Sequence, residues 1–384
     1  LTERSASMSD VAELVSRLVA IDSVNPDLIP GAAGEGAIAS FVADWLARAG
    51  LDVTRDEPVP GRPNVIAVAR GTGGGRSLML NGHMDTVGVA GMNHPHTPEI
   101  VGDRLYGRGA YDMKGGLAAI MLAGAAAAQH RPRGDVIVTA VCDEEKGSIG
   151  TESVLKRWRA DAAVITEPTG LAICIAHRGF VWLDIEVTGV AAHGSMPDLG
   201  VDAIAKMGTF LVQLERLNHR LRSRPSHPVL GPGSVHASLI DGGQELSSYP
   251  ARCGVSIERR TVPGESPESV EAEVRRILRR LAARDPQFHA SVTRGLAREP
   301  YAIAEDAPIV ALLRREVATV LRHAPEIMGA PWWMDSALLA EAGIPTVICG
   351  PGGEGAHAVV EWVSLEQVEQ CAAALTATAR AFCS

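Results

Sequence analysis

Hydrophobic positions in the first half of the chain alternate between helical spacing and short continuous runs. Helical spacing appears in Val11, Leu14, Val15, Leu18 and Val19, and again between Ile38 and Leu46. The continuous apolar runs lie at 64–69, 77–81, 135–141 and 162–166. Runs of this length are typical of strands that are buried on both faces. Such strands, alternating with helices, predict an α/β domain with polar residues collected along one edge of its sheet.

The pattern changes after His177. Strand patterns and helix patterns then follow in the order strand 180–188, helix 202–217, strands 235–240 and 253–258, helix 266–283 and strand 288–293. This β-α-β-β-α-β order predicts a ferredoxin-like sandwich. Helix–strand alternation returns after Tyr301, with 345–349 as a buried strand. We therefore expect a discontinuous α/β domain, residues 1–177 and 297–384, interrupted by an α+β insert, residues 178–296.

Composition and charge exclude two classes of partner. Of the 384 residues, 46% are hydrophobic and 21% are charged, which is ordinary for a soluble globular protein. The formal net charge of −9 disfavours general binding to nucleic acid or to an anionic membrane. The most apolar stretch, 117–128, consists mainly of alanine and is shorter than the roughly 20 residues of a membrane span. We expect neither nucleic acid nor membrane as a partner.

The N-terminus and the cysteines predict a cytoplasmic protein. The opening residues LTERSASMSD contain no apolar core of the kind that signal peptides have. The residues before Met8 are expected to be an addition to the natural chain. The six cysteines are scattered and include no CxxC pair, so reduced thiols are expected rather than a disulfide framework.

A histidine and several acidic residues follow the predicted strands. His83 and Asp85 come after the 77–81 strand, and Asp112 stands just before the alanine-rich run at 117–128. Further candidates lie in CDEEKGS at 142–148, ITEPT at 165–169 and GAHAVVEWV at 355–363. Histidine and carboxylate side chains at strand ends and helix starts suit a hard or borderline metal ion. The sequence therefore predicts one metal site assembled from distant segments.

Two of these stretches also have simpler interpretations. The pair Glu144 and Glu145 would usually be a solvated helix start, but it comes directly after a buried strand, which indicates the carboxyl edge of the sheet. The glycines at 107–109 and 115–116 lack the GxxxxGK[ST] and GxGxxG order of phosphate-binding loops. We expect those glycines to allow tight turns around Asp112.

Seven motifs, in order, resemble those of the M20 metallopeptidase family. They are NGHMDTV, YGRGAYDMKGG, CDEEKGSIGT, ITEPT, AAHGSMP, ERRTVPGE and GAHAVVEWV. The family includes acetylornithine deacetylase, succinyl-diaminopimelate desuccinylase, aminoacylase and glutamate carboxypeptidase, and the resemblance runs from about residue 10 to the end. It implies a zinc-aminopeptidase-like catalytic domain with a mixed central sheet, plus an inserted ferredoxin-like lid and dimerisation domain.

The resemblance also implies two divalent metal ions, zinc by default, with cobalt or manganese as alternatives. Asp112 matches the carboxylate that bridges the two ions, which would otherwise repel each other strongly. His83 and Glu167 match the other ligands of one ion. Glu145 and His357 match those of the second ion.

Three residues match roles in catalysis. Asp85 should accept the proton of the other ring nitrogen of His83 and so fix its tautomer. Glu144 matches the general base that takes a proton from the attacking water and passes it to the leaving nitrogen. His193, in the insert, matches a histidine that polarises the scissile carbonyl in the active site of the other subunit. A homodimer formed through the insert is therefore implied.

Substrate contacts are expected from four residues. Arg260 matches an arginine in a position to bind a substrate carboxylate, for which a guanidinium is well suited. The family tends to place an asparagine before a nearby proline, and here LSSYP puts Ser247 or a neighbour in its place. Gly350 and Gly352 of the GPGG segment are the other expected contacts. The change at Ser247 indicates a substrate different from those of the best-known members.

The implied activity is hydrolysis of the amide bond of a small N-acyl amino acid, with acetylornithine deacetylase as the first choice. Succinyl-diaminopimelate desuccinylase, a broader N-acyl amino acid deacylase, and a carboxypeptidase or dipeptidase remain open. The alternative from a different class is a metal-free binding protein on the same fold. The intact ligand set and Glu144 argue against it. The acyl group and the amino acid are left open.

Overall fold

The computed structural model describes residues 8–223 and 227–384, and the segment before Met8 lies outside these described residues. The chain divides into two compact units. The large unit contains the described residues up to Ile175, together with Ile303–Met328 and Met334–Ser384. The small unit contains Ala176–Ala302 and Gly329–Trp333.

Strands and helices alternate through most of the chain. The helices are α1 (Met8–Val19), α2 (Gly36–Arg48), α3 (Gly115–His130), α4 (Ile149–Val154), α5 (Ala203–Arg222), α6 (Pro267–Arg284), α7 (Pro308–Leu321), α8 (Ser336–Glu341) and α9 (Leu365–Phe382). The strands are β1 (Asp52–Val59), β2 (Arg62–Ala69), β3 (Leu78–His83), β4 (Glu99–Val101), β5 (Arg104–Tyr106), β6 (Val136–Val141), β7 (Ala162–Pro168), β8 (Ile173–His177), β9 (Gly179–Thr188), β10 (Ser234–Gly242), β11 (Arg252–Thr261), β12 (His289–Arg298), β13 (Tyr301–Ala302), β14 (Ile327–Ala330), β15 (Thr346–Gly350), β16 (Gly353–Glu354) and β17 (Trp362–Ser364). None of the described helices is long and apolar enough to span a membrane.

The large unit is built on a mixed sheet in the order β1-β2-β6-β3-β7-β15-β8. Strands β6, β3, β7 and β15 are parallel to one another, whereas β1, β2 and β8 pair in antiparallel fashion. The residues of β3, β6, β7 and β15 are all buried, as the continuous apolar runs predict. The predicted α/β domain with a mixed central sheet is confirmed.

Helix α3 packs unusually close to this sheet because its side chains are small. A Cβ atom added at Gly116 would lie 2.1 Å from the main-chain oxygen of Thr166 in β7. One added at Gly124 would lie 2.6 Å from a methyl group of Val138 in β6. Glycine is required where a helix and a strand approach this closely. The irregular turn Ala110–Lys114, which carries Asp112, runs directly into this helix.

The small unit has the predicted ferredoxin-like arrangement. Its sheet has the order β10-β11-β9-β12, with every neighbouring pair antiparallel. Strand β9 alternates buried and exposed residues, and its buried face packs with α5 and α6 around Phe210 and Phe288. The unit extends beyond the predicted insert at both ends. It also includes Gly329–Trp333, which comes from much later in the chain.

Candidate metal centre

The expected metal ligands of the large unit lie at the carboxyl ends of its parallel strands. His83 is the last residue of β3, and Glu167 lies near the end of β7. Glu144 and Glu145 follow β6, and His357 lies beyond the end of β15, in the loop between β16 and β17. Parallel strands end at the same edge of a sheet, so four separate segments meet there.

His83 lies between two carboxylates. Its Nε2 atom is 3.2 Å from Oδ1 of Asp112 and 3.6 Å from Oε1 of Glu167. The ring is almost completely buried. Its other nitrogen, Nδ1, is 2.9 Å from the main-chain oxygen of Asp85, to which it can donate a proton. This hydrogen bond leaves Nε2 available as a metal ligand.

His357 lies between a second pair of carboxylates. Its Nε2 atom is 3.0 Å from Oε2 of Glu145 and 3.4 Å from Oδ2 of Asp112. Asp112 therefore turns one oxygen toward His83 and the other toward His357. A carboxylate shared in this way has the geometry of a bridging ligand between two ions.

The donor set fits a metal ion, and one of its oxygen atoms has no other partner. Oε1 of Glu145 is buried and has no hydrogen-bond partner. One candidate group contains His83, Glu144 and Glu167, and another contains His83, Asp112 and Glu145, with the ligand atoms of each group within 4.8 Å of one another. Buried carboxylates this close need a compensating positive charge. A histidine and carboxylate set suits a borderline divalent ion such as zinc.

The pKa values of these groups reflect the same crowding of negative charge. Burial raises the pKa of Glu144 well above its usual range, and the charge of Glu167 raises it further. Burial likewise raises the pKa of Glu167 well above its usual range, and the charges of Asp112 and Glu145 add to this shift. Burial also raises the pKa of Glu145 to about 7. Burial opposes ionisation of Asp112, but hydrogen bonds from His357 and His83 outweigh it and lower the pKa.

Asp85 contacts the ring of His83 as expected, but through its main-chain oxygen rather than through its carboxylate. The hydrogen bond from His83 goes to its main-chain oxygen, and the nearer carboxylate oxygen is 3.6 Å from Nδ1. Its carboxylate instead accepts from the backbone N–H groups of Glu144 and Glu145, at 3.1 and 3.2 Å. The reason is that the loop after β6 presents these N–H groups directly to it. Asp85 therefore holds both the histidine and the glutamate pair.

A buried polar network behind Asp85 was not predicted from the sequence. Asn25 donates to Asp85 at 2.8 Å and to Asp143 at 3.0 Å. Arg62 forms ion pairs with Asp143 and, through two nitrogens, with Glu35. The network fixes the loop that carries Glu144 and Glu145. The sequence does not indicate that Glu35, Arg62 and Asp143 interact, because these residues are far apart along the chain.

Glu361 is a second residue that the sequence did not single out. It is buried, and its carboxylate accepts backbone N–H groups of the turn that carries Asp112. It comes four residues after His357, in the same motif. Its position close to a predicted ligand was the only available signal.

In the small unit, His193 and Ser247 lie in neighbouring segments. The N–H of Gly194 donates to the main-chain oxygen of Ser247 at 2.7 Å, and His193 pairs with Ser248 in an isolated bridge. His193 is exposed, and its Nδ1 atom is 2.7 Å from Oγ of Ser195. The roles of His193 and Ser247 stay predictions.

Arg260, also in the small unit, already has partners there. Its Nη2 atom is 3.0 Å from Oε1 of Glu258, and its guanidinium lies 5.6 Å from the ring centroid of Phe180. Its side chain is 32% exposed, so it remains accessible. Burial lowers the pKa of Arg178, and the charge of Arg260 lowers it further.

Gly350 and Gly352 use their N–H groups inside the large unit. The N–H of Gly350 donates to Oγ1 of Thr169 at 3.2 Å. The N–H of Gly352 donates to Oε1 of Gln367 at 2.8 Å. The substrate contacts expected of Gly350 and Gly352 stay predictions.

The metal centre and the sequence agree with one known family. Residues 79–381 match the model of a protein family described as Peptidase family M20/M25/M40. The chain belongs to this family. The M20 resemblance is thus confirmed, and the chain is a metallohydrolase that acts on amide bonds.

Relatives within the M20 family carry different names. The chain is 31% identical to the acetylornithine deacetylase of Myxococcus xanthus, over 96% of each chain. It is 29% identical to an N-formyl-4-amino-5-aminomethyl-2-methylpyrimidine deformylase of Bacillus subtilis, over 88% of this chain and 87% of that one.

Solved structures share the fold over almost the whole length. A tripeptidase from Staphylococcus aureus gives a TM-score of 0.81 at 20% identity and covers 99% of each chain. A dinuclear metal binding peptidase of the M20 family from Bacillus subtilis gives a TM-score of 0.74 at 17% identity, over 98% of this chain and 99% of that one.

Proposed function

We propose that this M20 metallohydrolase removes the acyl group from the nitrogen of a small N-acyl amino acid, as an acetylornithine deacetylase does. The observation that carries the proposal is the shared carboxylate of Asp112. It stands between His83 and His357, with Glu167 beside the first and Glu145 beside the second.

Two divalent ions would be held by these five residues, with Asp112 between them. Zinc is the proposed metal, and cobalt or manganese would suit the same donors. When bound, the ions supply Lewis acidity to the amide carbonyl and to the attacking water. The dinuclear metal binding described for the Bacillus subtilis neighbour supports a two-ion site.

Glu144 is the proposed general base. Its carboxylate lies within ligand range of His83 and Glu167, but the family resemblance assigns metal binding to Glu145 and the role of base to Glu144. Burial and the charge of Glu167 raise the pKa of Glu144, which makes its carboxylate a stronger base toward the attacking water. It would then pass this proton to the leaving nitrogen.

We propose a homodimer in which His193 stabilises the oxyanion in the partner's active site. The small unit offers a surface that supports this assembly. Strand β10 is an edge strand of its sheet, and Leu239 and Ile240 on it are 71% and 58% exposed. Exposed apolar residues on an unpaired edge are typical of a pairing surface.

Arg260 is proposed to bind the α-carboxylate of the substrate. The neighbouring Arg178 adds a second positive charge, and its Nε atom is buried without a hydrogen-bond partner. Two guanidinium groups are well suited to an anion. Ser247 remains the proposed neighbour of this carboxylate.

Support for an N-acyl substrate comes from the relatives, since both the deacetylase and the deformylase remove an acyl group from a nitrogen. A screen of candidate substrates identifies which N-acyl compound is hydrolysed. Purified protein loaded with zinc or cobalt would be given N-acetyl, N-succinyl and N-formyl amino acids and dipeptides, and release of free amine measured. The Glu144→Gln protein, prepared in parallel, gives the background.

The proposal predicts the highest kcat/KM on an N-acetyl amino acid, with N-acetylornithine among the best. A higher kcat/KM on N-succinyl-diaminopimelate would instead indicate a desuccinylase, and a higher kcat/KM on a dipeptide would indicate a carboxypeptidase or dipeptidase. No hydrolysis of any of these amides above the Glu144→Gln background would refute the proposed function.

The cytoplasm is the proposed compartment. All six cysteines are buried and free of disulfides, which suits a reducing environment.

A further inference from the structure

Glu361 lies in the loop that also carries His357, and its side chain converges on the turn of Asp112. Its Oε1 atom accepts the backbone N–H groups of Tyr111 and Asp112 at 3.0 and 3.1 Å. Its Oε2 atom accepts the N–H of Gly109 at 2.9 Å. The side chain is 1% exposed, so these hydrogen bonds do not compete with water.

These hydrogen bonds hold an irregular backbone. Asp112 has φ −116° and ψ 95°, outside the helical region, although it lies one turn before α3. Its N–H therefore lacks a partner in a regular helix and depends on Glu361. A buried N–H group left without a partner is destabilising, so the carboxylate determines which way this turn presents the side chain of Asp112.

Arg108 connects the same carboxylate to the His357 loop. Its Nη1 atom donates to Oε2 of Glu361 at 2.6 Å, and its Nη2 atom donates to the main-chain oxygen of Ala358 at 3.0 Å. Ala358 is the neighbour of His357. The pair Glu361 and Arg108 therefore ties the turn of Asp112 to the loop of His357.

Within the described part of the chain, neither Glu361 nor Arg108 forms a hydrogen bond or ion pair with the proposed ligands that lie on strands. His83 and Glu167 belong to β3 and β7, whose positions are fixed by the ladder of the central sheet. Asp112 and His357 belong to a turn and a loop. The distance between Asp112 and His357 therefore depends on Glu361 far more than the distance between His83 and Glu167 does.

We propose that Glu361 is a positioning residue that sets the distance between Asp112 and His357 and so determines the affinity for the second ion. The second ion is the one assigned to Asp112, Glu145 and His357, and the inference rests on the proposed two-ion function. Residues that orient metal ligands typically change metal affinity about 10–100-fold when they are replaced.

The test measures stepwise Zn²⁺ affinities of metal-free protein in competition with a chromophoric chelator. In Glu361→Gln, an amide NH₂ would face backbone N–H donors, and the affinity for the second Zn²⁺ should fall about 10–100-fold while the first stays near that of the wild type. The exposed Glu341→Gln is the matched control and should bind both ions like the wild type. Urea unfolding of the metal-free proteins checks the fold.

Arg108→Lys is the second variant, since it keeps the charge but loses the fork that reaches Ala358 and Glu361. It should weaken the second ion selectively too, whether or not Glu361→Gln folds. An unchanged second affinity in either folded variant would overturn the proposal, as would an equal loss of both ions. A wild-type protein that does not bind two ions would overturn the proposed function itself, independently of either variant.

Discussion

Glu144 is the proposed general base, the group that would distinguish an enzyme from a binding protein at this site. We expect Glu144→Gln to keep the metal ligands in place, because none of the five proposed ligands is changed. Turnover should fall by roughly 10²–10⁴, the usual cost of losing a general base. Metal analysis and initial rates on the same preparation check this expectation. Near-normal turnover with full metal content would show that another group is the base.

Arg260 tests how the substrate is held. We expect Arg260→Ala to raise KM for N-acyl amino acids at least tenfold, since it loses a charge-assisted contact of about 1.5–3 kcal/mol. A substrate whose α-carboxylate is amidated should be affected far less. Steady-state kinetics on the two substrates make the comparison.

A matched control for Arg260 is its own ion-pair partner. Glu258→Gln removes the pair at 3.0 Å but leaves the guanidinium in place, so KM should not rise. Equal losses on both substrates in Arg260→Ala would assign Arg260 to the sheet rather than to the carboxylate.

Individual residues also mark the limit of sequence reasoning. The residue types and order of the ligands could be recognised, because histidine and carboxylates after buried strands have a chemical meaning. Glu361 and Arg62 could not, because their partners are backbone N–H groups or acids far away in the chain. The atom by which Asp85 holds His83 depends on the path of the loop after β3, which no pattern encodes.

At the level of elements, the close contact between α3 and β7 positions both Asp112 and Glu167. A Cβ at Gly116 would lie 2.1 Å from the main-chain oxygen of Thr166. We expect Gly116→Ala to force the helix and strand apart and to lower the free energy of unfolding by about 1–3 kcal/mol. Metal affinity should fall as well, because Glu167, the residue after Thr166, is a proposed ligand. Urea unfolding and metal binding are the measurements.

Gly208 provides the matched comparison, since it lies in α5 and an added Cβ would meet nothing within 4 Å. Gly208→Ala should leave the protein as stable as the wild type or stabilise it by about 0.5–1 kcal/mol. If both alanine variants behaved alike, close packing of α3 on β7 would not be the reason for glycine at 116.

The elements that could be predicted are those with a strong apolar pattern. The strands β3, β6 and β7 are mainly apolar and buried throughout, and β9 alternates, so their type follows from burial on two faces or on one. Strand β1, by contrast, has the sequence DVTRDEPV and lies largely exposed at the edge of its sheet. The three-residue strands β4 and β5 are too short for any period to appear.

At the level of the whole molecule, the proposed dimer makes a prediction that no single subunit can satisfy. Mixing His193→Ala with Glu144→Gln subunits should restore part of the activity, because each mixed dimer has one site with both groups. Random exchange should give roughly a quarter of wild-type activity, since about half of the dimers would be mixed. Each variant alone, taken through the same exchange, is the control. No recovery after verified exchange would exclude action of His193 in the partner's site.

The sequence indicates part of the division into two units but not all of it. The change from buried runs to alternating strands after His177 indicates a different kind of sheet. The return of Gly329–Trp333 to the small unit is a long-range contact, and a local pattern gives no sign of it.

We propose that this chain hydrolyses amides with a pair of divalent ions held around Asp112. The most direct measurement removes metal with a chelator and then titrates Zn²⁺ or Co²⁺ back while the rate on an N-acetyl amino acid and the bound metal are followed together. We expect no hydrolysis without metal, and a maximal rate when two ions are bound per chain. Undiminished hydrolysis by the metal-free protein, or a maximal rate with only one ion bound per chain, would contradict this expectation.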